Sequence, residues 1–277
     1  LMGAKPYVIP ARPDVLIKVS QLMERTHIDV NEIVAALKQD VALYTMVLAT
    51  ANGPLYRGKN TITSLNQAAM RLGLERINNI VKIISLKSAL SKVGQVKRFW
   101  DTATEVAEIT ANLTILLSKE NPDEAYTLGM LHDCGIPLMM DAFPDYRSFL
   151  QAVTGNNVSE LHIQEAELYG YHHFNIGSEI ASQWHMPDSV CEAIKFQPDY
   201  LNVLNGKIEG SESSKLLLCY LLLAKGISET YRHYWRISSP REEHRELQPI
   251  LEYIGLPEMD YLDIRDDYLA ALERIQA

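Results

Sequence analysis

Cysteine is scarce in this chain. There are three, Cys134, Cys191 and Cys219, odd in number, far apart and never spaced C-x-x-C. That excludes a disulfide framework and points to free thiols in a reducing compartment, each a small buried apolar residue. Long apolar runs are missing as well. The most apolar stretch, Leu216 to Ala224, is bounded by Lys215 and Lys225, whereas a bilayer span needs roughly 20 apolar residues. Pro6, Pro10 and Pro13 interrupt the opening residues, where a secretory signal would need an unbroken apolar core. The expectation is a soluble, cytoplasmic protein with no membrane partner. Sustained β-branched alternation is also lacking. The tract 61–63 and Val158 are too short to count as strands. No phosphate-binding P-loop, no G-x-S-x-G and no G-x-G-x-x-G occurs, so the common nucleotide and serine-hydrolase signatures are excluded.

Basic residues are the minority, 26 Lys and Arg against 35 Asp and Glu, for a net charge of -9. An acidic surface repels phosphate backbones, so no nucleic-acid partner is expected. Lys82, Lys87, Lys92, Lys97 and Arg98 form the densest basic stretch, read as a solvated helix face and loop. A hydrophobic share of 47% with 22% charged residues describes an ordinary globular chain rather than a disordered one.

What is present is helical punctuation. Pro13 suits the first position of a helix carrying Val15, Leu16, Val19, Leu22 and Met23. Asp29 with Glu32, and Ser64 with Gln67, read as capping boxes. Asp40 caps a helix with Leu43, Met46 and Val47, and Gly73 is a glycine stop. After a break at Gly94, residues 97–119 make one long helix with Val106, Ile109, Leu113, Leu116 and Leu117 on one face. Asn121 and Pro122 pair as cap and first residue of the next helix, running to Leu131. Further helices fit 136–142, 145–153, 160–169, 175–185 and 187–196, with Gly155, Gly170 and Pro187 as breaks. Ser211 opens a leucine-rich helix reaching Thr230, Ser239 with Pro240 starts another, and the last spans about 260–275. The fold class is all-α. The polar, glycine-bearing stretch 199–214 marks the boundary between a domain over 1–205 and a C-terminal helical extension over 206–277 that packs on it.

The residues that could carry chemistry lie in Leu131-His132-Asp133-Cys134-Gly135, at a helix end, and in Tyr171-His172-His173-Phe174-Asn175. Asn175 would cap the following helix and leave both histidines in a loop. His132, Asp133 and His173 together offer two imidazoles and a carboxylate, a set suited to iron, zinc or manganese. On spacing alone, a capped helix end and ordinary loop histidines explain them as well. No catalytic residue and no organic cofactor site is assigned.

Several tracts, taken in order, resemble the HDOD family. Leu128 through Gly135 looks like the L-x-G-L-L-H-D-I-G box of its relatives, the HD-type metal-dependent phosphohydrolases. Ile9-Pro10-Ala11-Arg12-Pro13 resembles the family's L-P-x-L-P opening, and residues 40–52 its D-P-A-L…A-N segment. Ile62 through Ala68 and Leu72 through Ile77 are similar to its I-T-S and L-G run, Phe99-Trp100 to its F-W helix start, and Gly170 through Pro187 to its G-x-D-H…W-x-L-P stretch. The likeness covers residues 9–198. It implies an HD-like helical bundle acting in bacterial signalling through protein partners, with a divalent metal at His132, Asp133 and His173 if the site is intact. The family pattern then breaks. Thr102 stands where the first histidine belongs, Gln197 and Pro198 replace two later histidines, and Lys225 falls where a late aspartate is expected. Asp101 or Glu105 could stand in for a missing ligand. The resemblance therefore implies a degenerate metal site in a non-catalytic signalling module. Its alternative is a phosphohydrolase acting on a nucleotide or cyclic dinucleotide, with a low-ranked iron-based sensor behind both.

Overall fold

The computed structural model describes residues 5–56, 58, 60–92, 97–118, 120–153, 160–237 and 240–276, and side chains among these except at 240–245 and 272–276. Gly94, Gly155, Val158 and Ser239 lie outside the described residues. Every regular element among the described residues is a helix. No single helix among them is long and apolar enough to cross a membrane. The chain divides into two compact units, residues 1–95 and 96–277.

The first unit holds α1 (Asp14–Met23), α2 (Val30–Leu37), α3 (Val41–Ala51), α4 (Leu65–Leu72) and α5 (Leu74–Ser91). Asp29, Asp40 and Ser64 cap α2, α3 and α4, accepting from Asn31 N, Leu43 N and Gln67 N. These bonds satisfy amides the helices cannot satisfy themselves, a stabilisation of about 1 kcal/mol each. The two capping boxes are only half formed. Glu32 turns to Arg25 at 2.6 Å, and Gln67 Oε1 accepts from Thr63 rather than from the cap residue. Gly73 has φ +84°, a conformation that costs a residue with a Cβ. Leu16, Val19, Leu22, Ile33, Leu37, Ile77, Ile80 and Val81 are the core of this unit. Met46 is turned outward, and Lys82 is half-buried, its pKa lowered by burial and then by Arg12, rather than part of a solvated face.

The second unit is built on α6 (Lys97–Leu117) and α7 (Pro122–Leu131), followed by α8 (Gly135–Ala142), α9 (Tyr146–Val153), α10 (Leu161–Tyr169), α11 (His173–Gln183) and α12 (Asp188–Phe196). A 3₁₀ turn at Gln197–Asp199 leads to α13 (Tyr200–Leu204), α14 (Glu212–Ile227), α15 (Glu229–Trp235), α16 (Pro240–Ile254) and α17 (Glu258–Gln276). The soft stretch 199–214 lies inside this unit, and α14 packs on α6, α7 and α12. Gly129 explains how closely α6 and α7 approach: a Cβ there would stand 2.3 Å from Ala107 Cα.

Two sequence expectations change here, the end of the leucine-rich helix and the place of Leu116. The leucine-rich helix stops at Ile227 because Ser228 caps a separate helix, accepting from Tyr231 N. Its leucines are core: Leu217, Leu218, Leu221 and Leu223 are fully buried, each contributing roughly 1.5–3 kcal/mol. Leu116 is 63% exposed, since at 100° per residue it lies about 80° round α6 from Val106.

Candidate functional site

Asp133 sits just beyond the last turn of α7, where the chain bends into α8. The bend is possible because position 135 has no side chain. A Cβ on Gly135 would stand 2.0 Å from the carbonyl oxygen of His173 and 2.9 Å from Gly177 N. This contact brings α11 against the start of α8, and with it His173 against Asp133. The structure corrects the loop expected for the two histidines. His172, not Asn175, is the cap of α11, accepting from Asn175 N at 3.3 Å, and His173 is the first helical residue.

His132, Asp133 and His173 come together, with side chains 2%, 3% and 2% exposed. His132 Nε2 lies 3.2 Å from Asp133 Oδ2, and His173 Nε2 lies 3.8 Å from Asp133 Oδ1. The other ring nitrogens are held from behind. His132 Nδ1 is 2.6 Å from the Gly129 carbonyl oxygen, and His173 Nδ1 is 2.7 Å from Glu165 Oε2. Both partners can only accept, so each Nδ1 donates, and each Nε2 is aimed at the Asp133 carboxylate. Imidazoles that ligate metals are commonly oriented this way. Among the described residues, however, no three His, Cys, Asp or Glu side chains converge as a metal ion requires.

Lys225 completes the site. It comes from α14, is 13% exposed, and places Nζ 4.0 Å from Asp133 Oδ1. It donates to Gln197 Oε1 at 2.9 Å, and Gln197 Nε2 donates to the His132 carbonyl at 2.7 Å. The ammonium stands over the rings of Tyr231 and Phe174, 4.9 and 5.8 Å from their centroids, within the reach of a cation–π contact. Burial pushes the Asp133 carboxyl up, but the charges of His132 and Lys225, the hydrogen bond from His132 and the charge of His173 outweigh it. The group is held well below the usual carboxylate range. Burial lowers the Lys225 pKa, and Asp133 opposes that shift without cancelling it. Asp133 Oδ1 has no hydrogen-bond partner.

The remaining sequence candidates do other work. Asp101 is exposed. Glu105 binds the start of α15, accepting from Ser228 Oγ at 2.6 Å, from Thr230 N at 3.1 Å and from Thr230 Oγ1. Thr102 is buried in α6. Three contributors, Glu165, Tyr146 and Tyr231, escaped the sequence reading. Glu165, fully buried, accepts from both His173 N and His173 Nδ1, and Tyr146 donates to its other oxygen. Its one signal was a carboxylate four residues after Leu161, on the buried face of α10. Tyr231, with its ring centroid 5.8 Å from that of His132, had no signal beyond being aromatic.

Comparison with known proteins places this geometry. The family model described as HDOD domain matches residues 9–200. A Treponema pallidum (strain Nichols) protein, named only as uncharacterized, is 25% identical over 194 residues. The alignment covers 68% of this chain and only 37% of that protein. A Geobacter sulfurreducens HDOD domain protein of unknown function has a similar structure, at TM-score 0.64 and 20% identity over 96% of this chain and 91% of that one. A Shewanella amazonensis SB2B protein named as a candidate phosphohydrolase gives TM-score 0.64 and 24% identity, covering 89% and 85% of the two chains. A Marinobacter aquaeolei VT8 protein named as a candidate signal transduction protein gives TM-score 0.65 and 20% identity, covering 97% of this chain and 58% of that one. These three likenesses speak to the fold, and the family match spans more than two thirds of the sequence. The chain belongs to the HDOD domain family.

Proposed function

We propose that this chain is a non-catalytic HDOD regulatory module that works through protein contacts. The observation that carries the reading is the Lys225 ammonium beside Asp133, bonded to Gln197. Metal-assisted phosphate hydrolysis needs an ion held in an open, fixed geometry, where it activates water and binds phosphoryl oxygens. Here three donors face a lysine. A second cation as close to that ammonium as Asp133 Oδ1 is would be repelled by about 4 kcal/mol per unit of its charge. His132, Asp133 and His173 therefore do not fit a hydrolase metal centre. Gln197 supports the same reading, since both ends of its amide are already engaged. Exposed apolar side chains, including Ile115 and Leu116 at the end of α6, are available for partner contacts.

The second reading is a metal-dependent phosphohydrolase acting on a nucleotide or cyclic dinucleotide. It is favoured by the two imidazoles pinned at Nδ1 and by an Asp133 Oδ1 that accepts no hydrogen bond. A turnover assay separates the two. Nucleotides, cyclic dinucleotides and a chromogenic phosphate ester are incubated with the protein and Mn2+, Zn2+ or Fe2+. The regulatory reading expects background hydrolysis throughout. Turnover that a chelator abolishes would establish the second reading instead.

A further inference from the structure

We infer that the aromatic cluster of Phe143, Phe149 and Tyr169, with Asp145 at its edge, is a docking surface for a partner protein segment that carries an arginine among apolar side chains. The inference rests on the regulatory reading and names where such a partner binds and what it presents.

The cluster lies where the end of α8, the first turn of α9 and the last turn of α10 meet. Tyr169 is its centre. Its ring centroid is 4.6 Å from that of Phe143, 5.6 Å from that of Phe149 and 5.6 Å from that of Tyr146. Tyr146 is fully buried beneath, while Phe143, Phe149 and Tyr169 are each only half-buried. Leu168, next to Tyr169, is 65% exposed. Three aromatic rings therefore reach solvent at one place, each fixed by its neighbours. Such rings offer a large contact area with little side-chain entropy left to lose on binding. Tyrosine and phenylalanine are also enriched at the centres of protein interfaces.

The charge around the cluster selects the occupant. Asp145 Oδ2 accepts from the Tyr169 hydroxyl at 3.3 Å, which holds a carboxylate at the edge of the rings. Asp141 and Glu167, exposed on α8 and α10, add negative charge. The one cation within 141–149 and 161–170 is Arg147, about 160° round α9 from Phe149 at 100° per residue. A second copy of this face would set carboxylates against carboxylates, which is unfavourable. A nucleic acid or an anionic membrane is disfavoured by the same charge. An arginine satisfies both features at once, because its guanidinium stacks on aromatic faces and pairs with a carboxylate.

The experiment uses the whole chain as bait for a random peptide library displayed on phage. Enriched peptides are synthesised, and their binding is titrated by fluorescence polarisation against wild type, Tyr169→Ser, Leu168→Ser and Asp145→Asn. Sedimentation velocity of each protein alone reads self-association. Enrichment of peptides with an arginine among apolar residues is expected. Tyr169→Ser should weaken their binding by at least about 10-fold. Asp145→Asn, which keeps the side chain's shape, should weaken it by about threefold, with a shallower salt dependence. If Tyr169→Ser does not fold, Leu168→Ser and Asp145→Asn decide. No enrichment, enriched peptides without a basic residue, or equal binding to the folded variants overturns the inference. So does self-association of wild type that Tyr169→Ser abolishes, which would make the occupant a second copy. None of these results touches the non-catalytic reading, which fails only on metal-dependent turnover by wild type.

Discussion

His173 Nδ1 stands 2.7 Å from Glu165 Oε2, and that single bond decides which nitrogen of the ring faces Asp133. Glu165 also accepts from the His173 amide at 3.0 Å and from the Tyr146 hydroxyl. The carboxylate therefore joins α9, α10 and α11 at a fully buried point, and the orientation of His173 depends on it.

Replacing Glu165 tests this directly. A Gln at 165 keeps the shape but only one acceptor oxygen, so its NH2 must face either the Tyr146 hydroxyl or the two His173 donors, and the charge opposite His173 is lost; Glu165→Gln is expected to cost about 3 kcal/mol. Denaturant melts at neutral pH read that loss. Acid gives the sign. Burial raises the Glu165 pKa, but His173 and the bonds from His173 and Tyr146 outweigh it, so the net shift is downward from 4.5. A depressed carboxyl stabilises the fold above its unfolded pKa, and that stability is lost as pH falls through the folded value. Wild type should therefore lose more stability than Glu165→Gln on acidification below 4.5. Parallel losses in the two proteins would mean that Glu165 is not ionised in the fold.

Gly135→Ala offers an opposite-sign test of the α8–α11 contact. In an unhindered helix, alanine is more stable than glycine by about 1 kcal/mol. At 135 the new Cβ would lie 2.0 Å from a backbone oxygen, which cannot swing aside. The expected result is a loss of at least about 2 kcal/mol, seen as a Tm lower by roughly 4–8 °C. A neutral or raised Tm would show that α8 and α11 do not meet as described.

The three thiols should be inert in the folded protein. Cys134, Cys191 and Cys219 are buried and unpaired with one another. Burial pushes Cys191 up to about 11 and Cys219 up to about 12, and Cys134 higher still, with nearby Asp133 adding to the effect. A thiol reagent at pH about 8 finds almost no thiolate under these conditions. All three should react only after unfolding in denaturant. Rapid labelling of any one in the native state would contradict its placement.

Much of the fold was legible because its signals are local. Asn121 before Pro122 caps α7, accepting from Asp123 N, and Ser211 caps α14, accepting from Ser214 N. Such bonds join residues two or three apart, so the sequence displays both partners at once. The break at Ser228 was hidden by the leucines before it, although a serine followed by an acidic residue is a capping signal. At the site, His132 and Asp133 were visible as neighbours and Lys225 as a departure from a family pattern. Glu165 and Tyr146 were not, because their partners lie on other helices. A glutamate inside a helix looks the same in sequence whether it meets water or a buried imidazole. Likewise, nothing local announces that Gly135 is required by the backbone of residue 173.

The Lys225 ammonium stands beside Asp133, and His132, Asp133 and His173 are expected to hold no metal ion. Elemental analysis of tag-free wild-type protein, purified without chelator and loaded with excess Mn2+, Fe2+ or Zn2+ before desalting, tests it most directly. The account predicts far less than one metal ion per chain for each element. A metal retained one-to-one, and lost on mutation of His132 or His173, would contradict it.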